Sequence, residues 1–368
     1  MTERPEQGRT SQRLGVCVKV LRRALCLAGT AAVAGCAACE QQHSASGVTL
    51  DQYPSRLFPT LRWDTLLTVG ALSADDTMLL NPGQILLWGN RIVTLDGGNS
   101  SVRVFSRTIG RLLWKYERTG RGPGELTCIS HGLITPRSRL WVLDGCANRK
   151  ILEFDSAGAL LREIRPRALP QFPGHIVFTK GAALVTTQLA DRALVDANPD
   201  SLTPERVRPI PWPDSLDSTY RLDFGLAAER GDRPAVVLAY QMGPAFLVMH
   251  GDSVEVHPYV QPVPFSKKVT PQLRTARADS ARYAALSTAI VGDEVYFLFG
   301  GRPRRRANPG EPTLLIDVYG LEGTYHRSYL LPADTRSMAT EDGNVFYLIV
   351  MSEGLYPQII ALRPRIGD

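Results

Sequence analysis

Two stretches of the chain follow one plan at a fixed distance. Residues 91–115 read RIVTLDGGNSSVRVFSRTIGRLLWK and residues 139–163 read RLWVLDGCANRKILEFDSAGALLRE. In each, a basic residue leads an apolar strand, Leu-Asp-Gly, a polar turn, a second apolar strand, a small turn ending in Gly, and Leu-Leu. Arg91 and Arg139, Asp96 and Asp144, and Gly110 and Gly158 are each separated by 48 residues. A unit repeated at one period cannot bury its apolar face alone and must stack on copies of itself. Short apolar runs bounded by Gly, Asn, Asp and Pro are the sequence form of antiparallel hairpins.

Weaker copies continue the series. Apolar strands recur at Ala183–Thr187, Ala235–Tyr240, Val295–Phe299 and Val345–Val350, and the last three are followed by Phe246–Met249, Leu314–Tyr319 and Pro357–Leu362. With the two strong copies this makes six units of roughly 50 residues, which predicts an all-β, six-bladed β-propeller of four-stranded antiparallel blades. The apolar segment Trp63–Gly70 precedes the first full unit and is expected to complete the last blade, over residues 345–364, closing the ring. Residues 271–286 read as a helix inserted between blades four and five.

The stretch Gly120-Arg121-Gly122-Pro123-Gly124-Glu125-Leu126, followed by His131-Gly132-Leu133-Ile134, Val142-Leu143-Asp144, Asn148-Arg149-Lys150-Ile151 and Phe154-Asp155-Ser156-Ala157-Gly158, carries a resemblance. It resembles the repeat of NHL-type six-bladed propellers, strongly in blade two, recognisably in blade one, and only in architecture elsewhere. The structural work of these residues is plain. Glycines permit chain reversal, Pro123 fixes its own φ, Asp96 and Asp144 can cap the turns that follow them, and Trp141 and Phe154 fill the space between sheets.

The N-terminus bears on address. Six basic and two acidic residues lie in the first 35, and an 11-residue apolar run, Ala24–Ala34, is too short to span a bilayer. The run ends in Val33-Ala34-Gly35-Cys36, which resembles the bacterial lipobox. The expected organisation is a signal peptide over 1–35, lipidation at Cys36, a polar tether over 36–57 and the propeller over 58–368. Arg22-Arg23 leaves twin-arginine and general export both open. Ala37 rather than Asp after the Cys points, by resemblance to Gram-negative lipoproteins, to the periplasmic side of the outer membrane. Loss of the signal leaves 36 Lys+Arg against 34 Asp+Glu from the original 42 and 36, so the +6 of the whole chain belongs mostly to export. A mature charge near +2 gives no footprint for nucleic acid.

Loops joining successive blades, and loops between second and third strands, emerge on one rim. That places Arg121, Glu125, His131, Asp144, Asn148 and Arg149 of blade two on a candidate binding face. Arg304 and Arg305, from the basic run Arg302–Arg306, join them from blade five. Such arginines suit phosphate or carboxylate groups. Cys128 and Cys146 fall at the same rim and form a possible disulfide in an oxidising envelope. The NHL resemblance also implies an alternative. Some such propellers are zinc lyases, with His131 and His175 as two ligands lacking a matched third, and others are calcium lactonases, with Glu125, Asp144 and Asn148 as candidates. No G-x-S-x-G elbow, HExxH or phosphate loop is present. The leading expectation is therefore a monomeric, lipid-anchored envelope module without cofactor. It would bind a small or acidic ligand or a protein partner, with no catalytic residue. The alternative is a metal-dependent hydrolase or lyase at the channel mouth.

Overall fold

The middle strands of each unit are apolar on both faces because both faces are covered. In the computed structural model, Arg91–Asp96 and Ser101–Ser106 of blade one are buried almost end to end, as are Leu140–Asp144 and Lys150–Phe154 of blade two. The outermost strand of each of these blades, Leu112–Tyr116 and Leu160–Ile164, is half exposed instead. Alternation survives only where one face meets water. The structure describes residues 55–70, 77–145, 148–166, 169, 173–179, 182–187, 193–209, 235–239, 245–251, 253–261, 284–300, 315–351 and 356–366.

Those residues contain no helix and form six antiparallel sheets. The first strand is β1 (Leu61–Val69). Blade one is β2 (Pro82–Trp88), β3 (Arg91–Asp96), β4 (Ser101–Ser106) and β5 (Leu112–Tyr116). Blade two is β6 (Ile129–Ile134), β7 (Leu140–Asp144), β8 (Lys150–Phe154) and β9 (Leu160–Ile164). Blade three is β10 (Pro173–Thr179), β11 (Ala182–Thr187), β12 (Ala193–Ala197) and β13 (Pro204–Pro209). Blade four shows three strands among the described residues, β14 (Ala235–Ala239), β15 (Ala245–His250) and β16 (Ser253–Pro258). Blade five is β17 (Ser287–Val291), β18 (Glu294–Phe299), β19 (Leu315–Gly320) and β20 (Tyr325–Leu330). Blade six is β21 (Thr335–Ala339), β22 (Phe346–Met351) and β23 (Pro357–Ile366), completed by β1.

This last pairing joins the two ends of the chain, from Leu61 opposite Ile366 to Val69 opposite Ile359. Trp63–Gly70 thus takes the closing position its sequence predicts. The seams between blades form the core. Trp141 packs with Phe178 of blade three at 5.3 Å between ring centroids, and Phe154 stacks on Trp114 of blade one at 6.0 Å. Each fully buried side chain of this size contributes about 1.5–3 kcal/mol by leaving water. The expected helix over 271–286 and the arginines at 302–306 lie outside the described residues, apart from 284–286, which are not helical. The expected signal peptide, Cys36 and all but the last three residues of the expected tether also lie outside them.

Candidate functional site

Blade two's rim is built outward from one buried carboxylate. Asp144 closes β7 with no exposed surface. Its Oδ1 accepts the Thr127 hydroxyl at 2.8 Å and the Cys128 N–H at 3.0 Å, while its Oδ2 accepts the Thr127 N–H at 3.0 Å and Asn148 Nδ2 at 2.9 Å. Asp96 does the same in blade one, accepting the N–H groups of Leu80 at 2.7 Å and Asn81 at 2.9 Å. In these two blades the shared geometry ties the loop before the inner strand to the end of the second strand. Asp96 also caps the turn after it, through Gly98 N–H at 2.9 Å, and Asp144 holds its own following turn through Asn148.

The glycine-rich loop at 120–126 is clamped from beneath. Asn148 Nδ2 donates to the Gly120 carbonyl at 3.1 Å, and Lys150 Nζ donates to the Gly122 carbonyl at 2.7 Å. Lys150 is fully buried and pairs with Glu163 at 3.2 Å. Glu163 in turn accepts Gly124 N–H at 3.0 Å and Arg165 at 2.6 Å, and these bonds together hold its carboxyl below the ordinary range against the opposing effect of burial. Glu125 folds back to accept Gly122 N–H at 2.7 Å, and Gly120 sits at φ +151 with the Glu125 carboxylate where a Cβ would stand. Arg121 and Arg149 face solvent, the latter at φ +47. Cys128 is disulfide-bonded, and its carbonyl accepts Gly145 N–H at 3.1 Å; Cys146 lies outside the described residues, as do Arg304 and Arg305.

The inner strands carry a feature that sequence reasoning missed. Four of them bulge at their start, and the residue after the bulge is Gln84, His131, His175 or Ser337; Ser287 holds the matching register in blade five. From three of these positions the side chain crosses to the next inner strand. Gln84 accepts Gly132 N–H at 2.8 Å and donates to its carbonyl at 3.0 Å. Ser337 Oγ accepts Ile85 N–H at 3.3 Å, and Ser287 Oγ donates to the Met338 carbonyl at 2.9 Å. In every case the target is the residue following the equivalent position on the neighbour. Each of these inner strands is an edge of its sheet, and these side chains satisfy backbone groups on that edge.

Between blades two and three the same position holds two imidazoles. His131 and His175 meet edge to face with centroids 4.5 Å apart. His131 keeps some exposed area, yet the protein packed around it penalises the charged form and lowers its pKa to about 4. Burial and the nearby His131 push His175 well below its ordinary value. Both are neutral at pH 7. Among the described residues, no three His, Cys, Asp or Glu side chains come together to hold a metal ion.

Comparison with known proteins bears on the architecture. No curated protein matches the sequence significantly. A solved structure of a DUF4221 family member from Bacteroides vulgatus superposes with TM-score 0.56 at 7% identity, covering 83% of this chain and 99% of its own. A candidate exported protein from Bacteroides fragilis gives TM-score 0.52 at 14% identity, covering 84% and 95%. Virginiamycin B lyase from Staphylococcus aureus falls to TM-score 0.46 at 12% identity, covering 83% and 99%, which carries no argument about activity. Residues 68–177 match the DUF5128 family, described as a 6-bladed beta-propeller. Sheet order, ring closure and this match agree that the chain is a six-bladed β-propeller.

Proposed function

We propose that the protein is a lipid-anchored propeller of the bacterial envelope that binds a ligand or partner on the rim of blade two without catalysing a reaction. One observation carries this reading. The acids and the amide that could serve chemistry at that rim, Asp144, Asn148, Glu125 and Glu163, spend their bonds on holding backbone, while the guanidinium groups point outward. A lactonase-like calcium site would need those same oxygens, and a lyase-like zinc site a third ligand beside His131 and His175. Export is supported by the lipobox and by the Bacteroides fragilis neighbour, itself a candidate exported protein. Lipid at Cys36, a periplasmic position at the outer membrane and a Cys128–Cys146 disulfide complete the proposal.

The test uses the full chain purified from membranes. Metal analysis should give neither calcium nor zinc near one equivalent, and lactone and ester substrates should not turn over. Stoichiometric metal with turnover lost in His131→Ala or Glu125→Gln, both still folded, would replace this reading with the hydrolase or lyase alternative. Cys36→Ser should move the protein out of the membrane fraction. Non-reducing peptide mapping should recover Cys128 linked to Cys146.

A further inference from the structure

We propose that Arg121 and Arg149 together form a site for a phosphate-type oxyanion on the rim of blade two, an inference that rests on the binding reading above and names its ligand chemistry. Two facing tripeptides create the site. Asn148 reaches the carbonyl of Gly120, and Lys150 reaches the carbonyl of Gly122. The two residues that flank Arg149 therefore grip the two residues that flank Arg121. Lys150 is buried and Asn148 half-buried, so their side chains run inward. Arg149, set at φ +47, is exposed, and so is Arg121. The two guanidinium groups leave the protein from adjoining points of one clamped scaffold.

The local field favours an anion. Asp144 is buried under four hydrogen bonds, Glu163 is paired with Lys150 and Arg165, and Glu125 is folded onto Gly122 N–H. These three carboxylates are turned into the protein, and Glu117, exposed four residues before Arg121, is paired with Arg103 and Lys115, so the charges left without a partnered counter-charge around the two arginines favour an anion. Two planar forks arriving from different loops match the several oxygens of a dianionic phosphate better than the two of a carboxylate. The backbone points from which they project are held by the Asn148 and Lys150 clamps before binding, which leaves only the two side chains to be ordered.

Isothermal titration of the full chain in detergent with inorganic phosphate at low ionic strength tests this. Saturable binding is expected, weakened about tenfold in Arg121→Gln and in Arg149→Gln and lost in the double variant. Arg137→Gln, which removes an exposed arginine paired with Asp200 at 2.8 Å, should bind as the parent does. Sodium acetate at matched ionic strength should compete weakly. Flat phosphate titration, equal weakening by Arg137→Gln, or acetate binding as well as phosphate would each overturn the site. Both variants change exposed side chains, and unchanged thermal unfolding confirms that loss of binding is not loss of fold. A flat titration from a protein without hydrolytic activity removes the oxyanion site and leaves the binding reading standing; metal-dependent turnover removes that reading itself.

Discussion

Asp144 receives two backbone N–H groups, a hydroxyl and an amide with no exposed surface of its own. Replacing it by Ala strands those donors, and an unsatisfied buried donor costs about 1–3 kcal/mol. Asp144→Ala should therefore lose about 3 kcal/mol in urea unfolding, whereas Arg121→Ala should stay within about 0.5 kcal/mol. A loss for Asp144→Ala no larger than that for Arg121→Ala would mean the carboxylate holds nothing. The importance of Asp96 and Asp144 is legible in the sequence, because both stand at one landmark of a 48-residue period. Their targets are not. The spacing suggests the turn after each Asp, but the shared bonds reach back 15 to 17 residues to the loop before the inner strand. Nor does the sequence separate Lys150, which is buried and clamps the loop, from Arg149 beside it, which is exposed. Adjacent cations in a string become opposites only when the turn directs one inward.

Inner strands share a latch that no alignment of residue types would reveal. Its position is held by Gln84, Ser287 and Ser337, which bond the neighbouring strand, and by His131 and His175, which meet each other; these residues differ in chemistry and occur at unequal intervals. What they share is register against the second strand, and register exists only once the sheets form. The apolar middle strands were readable because burial on both faces leaves a continuous hydrophobic run. The latch was not, because residues as unlike as Ser and Gln bond the edge backbone from that position and two His fill it by meeting each other. The imidazole pair gives this element a pH dependence. His131 has a folded pKa of about 4 against about 6.5 unfolded, so between these values the unfolded chain binds more protons. Stability is complete above about pH 6.5 and falls as pH is lowered toward 4. His175 acts in the same direction. His131→Gln places in blade two the residue that blade one uses, and it should reduce the loss of melting temperature between pH 7 and pH 5. An unchanged pH profile would show that the pair is not what titrates. Glu294, held to about 2 chiefly by Arg327, adds its own loss only below the ordinary Glu range, as pH falls from about 4.5 toward 2.

Closure of the whole ring depends on more of the N-terminal segment than β1. Arg56 precedes β1 by five residues, yet its side chain is fully buried. It forms a two-bond pair with Asp317 of blade five at 2.8 Å and 2.8 Å, stacks over Phe299 at 4.3 Å and also reaches Gln261 after blade four. Leu57 adds backbone bonds to Ser328 and Tyr325. The chain then crosses to blade six. Trp63 donates to the Leu330 carbonyl at 2.8 Å and meets Tyr329 and Phe346 edge-on. Residues 56–69 are thus a strap over the seam between blades five and six, and the strand pairing is its second half. The sequence shows the strand, because Trp63–Gly70 is apolar. It does not show the clamp, because an arginine 261 residues from its partner looks like tether. Breaking a buried pair leaves one uncompensated charge, at a cost of about 3–5 kcal/mol, while replacing both members with apolar residues of similar volume is often close to neutral. Arg56→Met and Asp317→Leu should each lose about 3–5 kcal/mol in denaturant unfolding, and the double variant should lose less than either alone. Additive losses would mean that the two ends of the strap are uncoupled and that β1 pairing alone closes the ring. Non-additivity of the expected sign would mean that the charge at residue 56 is held by Asp317 of blade five, and that the segment ahead of β1 closes the ring together with the strand pairing.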